Sequence, residues 1–152
     1  MSDASLEANS SSGDRPPGRV RTLGVHPVKS LRGRHVAAWR FDARGPLLDR
    51  RWMLIDESRR FVSLREVPRL ARCVVAWDDD EVLATATVPD RISFDWDGDR
   101  LDVAPSSSDS SNAETATLWG SERVVLDEGD AAADWFTKRL ERPIRLVRHL
   151  PE

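Results

Sequence analysis

Three short segments in the first half of the chain combine cationic and hydroxyl side chains with strand-like apolar residues. They are HPVKS (residues 26–30), GPLLDRRWMLID (residues 45–56) and FVSLREVPRL (residues 61–70). Lysine and arginine side chains beside hydroxyls and backbone amides are groups that proteins use to hold phosphate. The segments therefore predict a rigid surface that grips an anion, with phosphate as the expected class.

The first candidate pair is Lys29 and Ser30, which follow Pro27, a residue that fixes the direction of the backbone. Arg32 and Gly33 come shortly after and supply a second cation and a flexible turn. An ammonium group beside a hydroxyl and exposed amides can hold a dianionic phosphate. On spacing alone, an ordinary lysine at the end of a strand is the alternative.

The second candidate is Arg50, which directly precedes a predicted strand over residues 51–56. Neighbouring residues of a strand point to opposite faces, so either Arg50 or Arg51 is expected to point inward or along the rim of a barrel. A buried arginine needs a partner, and Asp49 or Asp56 could supply the carboxylate. A structural ion pair is therefore the alternative to ligand binding here.

The third candidate pair is Ser63 and Arg65, which lie two residues apart in a predicted strand over residues 60–65. Two residues at this spacing share one face of a strand, where a hydroxyl and a guanidinium would form a compact anion clamp. Lys29 would be a third group of this clamp if this strand lies close to the first predicted strand, over residues 20–28.

Other reactive side chains predict neither a catalytic nor a metal site. The single cysteine, Cys73, excludes an internal disulfide and stands among apolar residues, where a free cysteine is usually part of the core. The histidines lack metal-site spacing, and neither a Ser-His-Asp order nor a glycine-rich phosphate loop is visible. The six tryptophans, spread along the predicted strands, are expected to serve the core.

The elements that must position these residues are mainly short strands. Residues 1–18 are rich in Ser, Asp, Gly and Pro and predict a disordered tail, which leaves residues 19–152 as one domain. Further strands are predicted over residues 20–28, 35–41, 70–77, 81–88, 91–96, 100–103, 115–119, 122–126 and 144–147, with turns at Asp78-Asp79-Asp80, Asp97-Gly98 and Gly120-Ser121. A late helix starts at Asp130 as N-cap and stops before Pro143. The sequence predicts a mainly β fold, an antiparallel barrel or curled sheet with one C-terminal helix.

Charge divides the chain into a basic and an acidic half. Residues 19–72 carry a balance of +9 and residues 73–152 a balance of −10. The basic half could attract anions, or the two halves could face and neutralise each other. Aromatic residues are not interleaved with the basic ones, which argues against nucleic-acid binding. Neither a membrane-spanning run nor a secretory signal is visible, so a cytoplasmic location is expected.

Taken together, the motifs resemble the N-terminal β-barrel domain of MOSC-type proteins, the family of molybdenum cofactor sulfurase and the amidoxime reducing component. The resemblance rests on Pro27-Val28-Lys29-Ser30 with a following glycine, on residues 45–56, on a Ser-x-Arg-x-x-Pro-x-Leu pattern over residues 63–70, and on a closing helix and strand over residues 133–147. Pro46 is inserted before the leucines of the second motif.

This resemblance implies an accessory domain that binds the phosphate or pterin part of molybdenum cofactor (molybdopterin). Lys29, Ser30 and Arg65 would contact the cofactor, and Ser63 and Arg50 are further candidates. The metal-ligating cysteine of the family belongs to the MOSC domain, so a MOSC partner in cis or in trans is implied, acting in sulfur transfer or in reduction of N-hydroxylated compounds. Catalysis by this chain alone is not expected. The alternative is a non-catalytic interaction module that docks on a partner domain.

Overall fold

A computed structural model describes residues 18–85, 87–107 and 113–150 of the chain. All but the last position of the predicted disordered tail lies outside these residues. The elements in chain order are β1 (Leu23–Val25), β2 (Arg34–Val36), β3 (Phe41–Asp42), β4 (Gly45–Pro46), β5 (Trp52–Asp56), a 3-10 helix (Pro68–Arg72), β6 (Cys73–Trp77), α1 (Asp79–Thr85), β7 (Ile92–Trp96), β8 (Asp99–Val103), β9 (Ala113–Leu118), β10 (Ser121–Asp127), α2 (Asp130–Leu140) and β11 (Ile144–His149). Neither helix is long and apolar enough to cross a bilayer.

Two antiparallel sheets form most of a curled half-barrel, as the sequence predicts. The larger sheet has the strand order β5-β11-β10-β9, and the smaller has the order β6-β7-β8. Both predicted glycine-containing hairpins are present. β7 pairs with β8 across Asp97-Gly98 as predicted, whereas β9 pairs with β10 across Trp119-Gly120, one residue before the predicted Gly120-Ser121 turn. Positive φ angles at both residues of each turn match the twist that tight hairpins require.

The segment over residues 26–32 joins the two sheets. At one end the Lys29 N–H donates to the Trp52 carbonyl of β5 (2.8 Å), and the Trp52 N–H donates to the carbonyl of Pro27 (3.0 Å). At the other end the Arg32 N–H donates to the Cys73 carbonyl at the start of β6 (2.9 Å). We call residues 26–32 the seam segment, because it runs between strands that belong to different sheets.

The core occupies the inside of the curl, and β5 is buried on both faces. Trp52 and Leu54 belong to the main core, whereas Met53 and Ile55 belong to a smaller cluster on the opposite face. This is why residues 52–55 are almost continuously apolar in sequence rather than alternating. Helix α2 packs against β11 and closes the main core with Phe136 and other buried side chains.

Two of the predicted strands are wrong. Residues 79–85 form α1 rather than a turn and a returning strand, because Asp78 caps the helix by accepting a hydrogen bond from the Glu81 N–H (3.1 Å). Residues 60–65 are not a strand either. Only isolated bridges occur at Arg60 and Phe61, and the chain then turns through residues 64–66.

Smaller corrections concern α2 and the tryptophans. Gly129, not Asp130, is the N-cap residue of α2. Asp130 lies in the first turn, where its negative charge interacts favourably with the positive end of the helix dipole. The tryptophans do not all serve the core. Trp52 is fully buried, but Trp39 is 39% exposed and Trp119 is 77% exposed.

Candidate functional site

A pocket of about 420 Å³ opens where the seam segment bends between the two sheets. It combines three cationic side chains, a hydroxyl, an imidazole and apolar groups, contributed by His26, Lys29, Ser30, Leu31, Arg32, Arg50, Leu64 and Ala71. The structure thus brings together Lys29, Ser30 and Arg50 of the residues that the sequence singles out. Arg32, which the sequence offers as a second cation near Lys29, also lines the pocket, and the structure adds His26. We call this set of side chains the cationic pocket.

Backbone strain marks two residues of the cationic pocket. Ser30 and Arg50 both have left-handed φ angles, of +73° and +53°, which non-glycine residues seldom adopt. Ser30 is held by its hydroxyl oxygen, which accepts a hydrogen bond from the Leu64 N–H (3.0 Å). Arg50 is held by its own N–H, which donates to the His26 carbonyl (2.7 Å). Strained residues that are fixed by their surroundings are typical of binding sites.

Arg50 points to solvent beside a single carboxylate. Its side chain is 58% exposed and forms an ion pair with its neighbour Asp49. Asp49 also accepts a hydrogen bond from the His26 N–H (2.9 Å), so this carboxylate ties Arg50 to the start of the seam segment. An exposed ion pair of this kind contributes little to stability, so the Arg50 guanidinium can be shared with a bound anion at small cost.

The Lys29 ammonium lies against aromatic rings. Nζ is 4.0 Å from the centre of the Trp119 ring and 5.4 Å from that of Phe61. Among the described residues, no carboxylate lies within ion-pair distance of this ammonium. Partial burial and the nearby Arg50 guanidinium lower the pKa of Lys29, against an opposing effect of Asp49.

Ser63 and Arg65 do not form the predicted clamp. The Ser63 hydroxyl donates to the Glu66 carboxylate (2.8 Å), and the Glu66 N–H donates back to the Ser63 oxygen (3.3 Å). This reciprocal pair shapes the turn over residues 64–66 and leaves the serine next to a negative charge. Arg65 is exposed on that turn, does not line the cationic pocket and forms no ion pair with any residue in the described part of the chain.

Arg51, the neighbour of Arg50, has a structural role. Its side chain is buried and forms an ion pair with Asp42 (2.6 Å), not with Asp49 or Asp56 as predicted. The strong hydrogen bond from Arg51 lowers the pKa of Asp42. Arg51 lines a larger cavity of about 950 Å³ together with Arg148.

Two of the arginines that line that larger cavity are paired with carboxylates of the protein. Arg148 donates to the buried Glu128 carboxylate (2.8 Å), as Arg51 does to Asp42, and much of the remaining lining is apolar. The cationic pocket differs in this respect. Arg32 makes no hydrogen bond or ion pair through its side chain to any residue that the structure describes, and the same is true of the Lys29 ammonium. For this reason the smaller pocket is the candidate for an anion site.

His26, the first residue of the seam segment, contacts Gly33, which directly follows the segment. The Gly33 N–H lies within hydrogen-bond distance of Nδ1 of His26 (3.1 Å). Gly33 has no room for a side chain, because an added Cβ would lie 2.0 Å from the Val25 carbonyl oxygen. The glycine is therefore required for the close approach of the backbone rather than for a flexible turn.

The basic and acidic halves of the chain neutralise each other only in part. Ion pairs from Arg59 to Glu114 and from Arg72 to Asp97 join the halves, both at 2.6 Å. The cations of the pocket take no part in these pairs. Lys29 and Arg32, which have no carboxylate partner among the described residues, therefore retain positive charge that can attract an anion from solution.

Neither Cys73 nor a carboxylate cluster provides a metal site in the part of the chain that the structure describes. Burial raises the pKa of the Cys73 thiol to about 12, and a protonated thiol is neither a nucleophile nor a metal ligand. Within residues 18–85, 87–107 and 113–150, no group of three His, Cys, Asp or Glu side chains is arranged to hold a metal ion.

Comparison with known proteins places these features in one family. The family described as the MOSC N-terminal beta barrel domain matches residues 17–143. Mitochondrial amidoxime reducing component 2 of Bos taurus is 31% identical over 137 residues, which cover 86% of this chain and 38% of that protein. Molybdenum cofactor sulfurase of Danio rerio is 29% identical over 134 residues, which cover 88% of this chain but 16% of that protein. The chain thus spans less than two fifths of each of these relatives.

A solved structure has a similar fold. The solution structure of a protein from Bordetella bronchiseptica superposes with a TM-score of 0.58 and covers 87% of this chain and 92% of that one. The two sequences are 18% identical, so this likeness concerns the fold alone.

Proposed function

The chain belongs to the MOSC N-terminal β-barrel domain family, and on that premise we propose that it is an accessory domain that binds the phosphate end of molybdenum cofactor. Lys29, Ser30 and Arg50 would make the phosphate contacts, with Arg32 as a further cation of the same pocket. The observation that carries this proposal is the group of cations in the cationic pocket, of which Lys29 and Arg32 have no internal carboxylate partner among the described residues.

The residues present fit a phosphate monoester. A dianion needs positive charge and several hydrogen-bond donors within a small volume, and a lysine, two arginines and a hydroxyl meet this need. The Ser30 oxygen already accepts a hydrogen bond from the Leu64 N–H, so its own proton remains available for donation to a phosphate oxygen. Arg65 and Ser63 remain predictions of the family resemblance, with Arg65 the better placed because its guanidinium lacks a carboxylate partner in the described part of the chain.

In this proposal, this chain orients the cofactor and a MOSC domain binds the metal and carries out the chemistry. The family is named for a barrel that stands N-terminal to such a domain, and the relatives named above are much longer than the matched region. When bound, the cofactor would supply the molybdenum centre for sulfur transfer or for reduction of N-hydroxylated compounds. The seam segment would hold the phosphate still, which fixes the direction in which the rest of the cofactor points.

Anaerobic calorimetry with molybdopterin tests this proposal. We expect the wild-type chain to bind and the Lys29→Ala/Arg50→Ala variant to bind at least about tenfold more weakly, because each lost charge-assisted hydrogen bond is worth well over 1 kcal/mol. Arg100→Ala is the matched control, since Arg100 is an exposed arginine on β8 that pairs with Asp102 outside the pocket. Absence of binding by the wild type, or equal binding by the double variant, would refute the proposal.

A second candidate function is a non-catalytic module that docks on a partner domain. It is favoured by Trp39 and Phe41, whose rings form an edge-to-face pair 5.8 Å apart and are 39% and 61% exposed. Aromatic residues are enriched at protein interfaces, where they provide rigid apolar area. Titration of a purified MOSC domain with the wild type and with the Trp39→Ser/Phe41→Ser variant tests this role. We expect the double substitution to weaken the binding of the two domains, and equal affinity of both proteins would count against it.

A further inference from the structure

Trp119 occupies a position that is unfavourable for tryptophan in two respects. It lies at the tip of the β9–β10 hairpin with a φ of +50°, a left-handed conformation that such turns normally give to asparagine, aspartate or glycine. Its side chain is also 77% exposed, although tryptophan is usually well buried. A strained and exposed aromatic residue is a feature that the fold alone does not require.

The Trp119 ring is held in place by Phe61 and faces Lys29. The two rings meet edge to face, 6.0 Å apart and at 88°. Phe61 is itself anchored, because its N–H donates to the Thr117 carbonyl on β9 (3.0 Å). The Lys29 ammonium lies 4.0 Å from the Trp119 ring centre and 5.4 Å from that of Phe61, so both rings contribute to the same cation site.

Contact with an aromatic face differs from contact with a carboxylate in its effect on ligand binding. A carboxylate at ion-pair distance would neutralise much of the positive charge of the ammonium. An aromatic face attracts the cation more weakly and leaves its full positive charge in place. The long lysine side chain is thereby restricted before the anion arrives, which lowers the entropy cost of binding.

We propose that Trp119 and Phe61 are positioning residues that hold the Lys29 ammonium at the edge of the cationic pocket, where it meets the phosphate of a bound ligand. The inference rests on the proposed function, since it identifies the residues that orient one of the phosphate contacts. Trp119 acts through Lys29 and does not itself contact the phosphate.

Titration with inorganic pyrophosphate, followed by NMR, tests this inference with Trp119→Leu and Trp119→Phe. Leucine keeps apolar cover but removes the π face, so we expect the dissociation constant to rise about two- to fivefold, which corresponds to one exposed cation–π contact. Phenylalanine retains a π face and should bind nearly as tightly as wild type. In a Lys29→Ala background, Trp119→Leu should cause no further loss.

A measurement without ligand provides an independent check. In the wild type, the ε-methylene protons of Lys29 should be shifted upfield by the Trp119 ring, and this shift should disappear in Trp119→Leu. Pyrophosphate binding that is equal in wild type and Trp119→Leu, or the lack of a ring-current shift, would overturn the inference while the proposed function stands. Failure of the wild type to bind pyrophosphate would overturn both.

Discussion

Replacement of Arg148 by methionine should destabilise the protein far more than loss of an ordinary ion pair. The Glu128 side chain is fully buried (0% exposed) and that of Arg148 nearly so (7%). In Arg148→Met the carboxylate keeps two donors, the Trp52 Nε1–H (2.7 Å) and the Ser106 N–H (2.6 Å), but loses its countercharge. Breaking a buried ion pair from one side costs about 3–5 kcal/mol.

Urea denaturation measures this loss directly. With a slope of about 2 kcal/mol per molar urea, typical of a domain of this size, the midpoint should fall by about 1.5–2.5 M. Arg72→Met is the matched control, because Arg72 and Asp97 form an exposed pair (63% and 50%), for which we expect less than about 1 kcal/mol. Removal of the orphaned charge in Glu128→Gln/Arg148→Met should restore a large part of the lost stability.

A loss below about 1 kcal/mol for Arg148→Met would refute this reasoning. It would mean that the Trp52 and Ser106 donors satisfy the carboxylate without a countercharge. A double variant less stable than Arg148→Met would refute it as well, since the cost would then lie in packing rather than in charge. The outcome bears on the site, because Trp52 also anchors Lys29 through its backbone carbonyl.

Three other changes have clear expected outcomes. Gly33→Ala should lower the free energy of unfolding by about 3 kcal/mol in urea melts, because the new Cβ would lie 2.0 Å from the Val25 oxygen; an unchanged midpoint would contradict the close approach described. Cys73 should react with a thiol reagent at pH 8 far more slowly in the folded than in the urea-unfolded protein, because burial raises its pKa to about 12; equal rates would be inconsistent with that. Burial and, to a smaller extent, nearby cations lower the pKa of His149 below its ordinary value of 6.5. As the pH falls, the unfolded chain therefore binds a proton at His149 before the folded chain does. The free energy of unfolding should decline from about pH 6.5 down to the pKa of His149 in the folded protein. His149→Gln should flatten this dependence in midpoints measured at pH 7 and pH 5, and an undiminished slope would assign it to another group.

The parts of the fold that local sequence signals specify could be predicted. The Asp97-Gly98 hairpin has a strong turn signal, and α2 has helical spacing that Pro143 ends, so both are found as expected. The two segments that were wrongly predicted as strands, residues 81–88 and 60–65, contain or adjoin a local signal for a helix or a turn. Asp78 and Glu81, like Ser63 and Glu66, are three residues apart, a spacing at which the first side chain can accept a hydrogen bond from the backbone N–H of the second residue. Attention to this spacing would have identified α1 and the turn over residues 64–66.

The composition of the site could be predicted only in part, because strand pairing decides it. Lys29, Ser30 and Arg50 lie within linked motifs, which made them visible in the sequence. Whether Arg50 or Arg51 reaches solvent depends on which carboxylate lies near Arg51, and that carboxylate, Asp42, comes from a different hairpin.

The contribution of Trp119 depends on long-range contacts in the same way. Its hairpin reaches Lys29 only because β9 contacts Phe61 through the Thr117 carbonyl. The sequence shows a tryptophan beside a glycine, and nothing in that dipeptide indicates which cation the ring will face. Local spacing could not provide this information, whereas the pairing of distant strands does.

The position of the seam segment between two sheets has a consequence for folding kinetics. Its hydrogen bonds to Trp52 and Cys73 can form only after long loops have closed, and contacts of this kind are gained late because their entropy cost is high. A chain with one sheet formed and the other open would therefore have no pocket. An anion bound in the pocket would bind only the completed fold and would stabilise it by mass action. Occupancy of the pocket would therefore report that both sheets and the seam segment have formed.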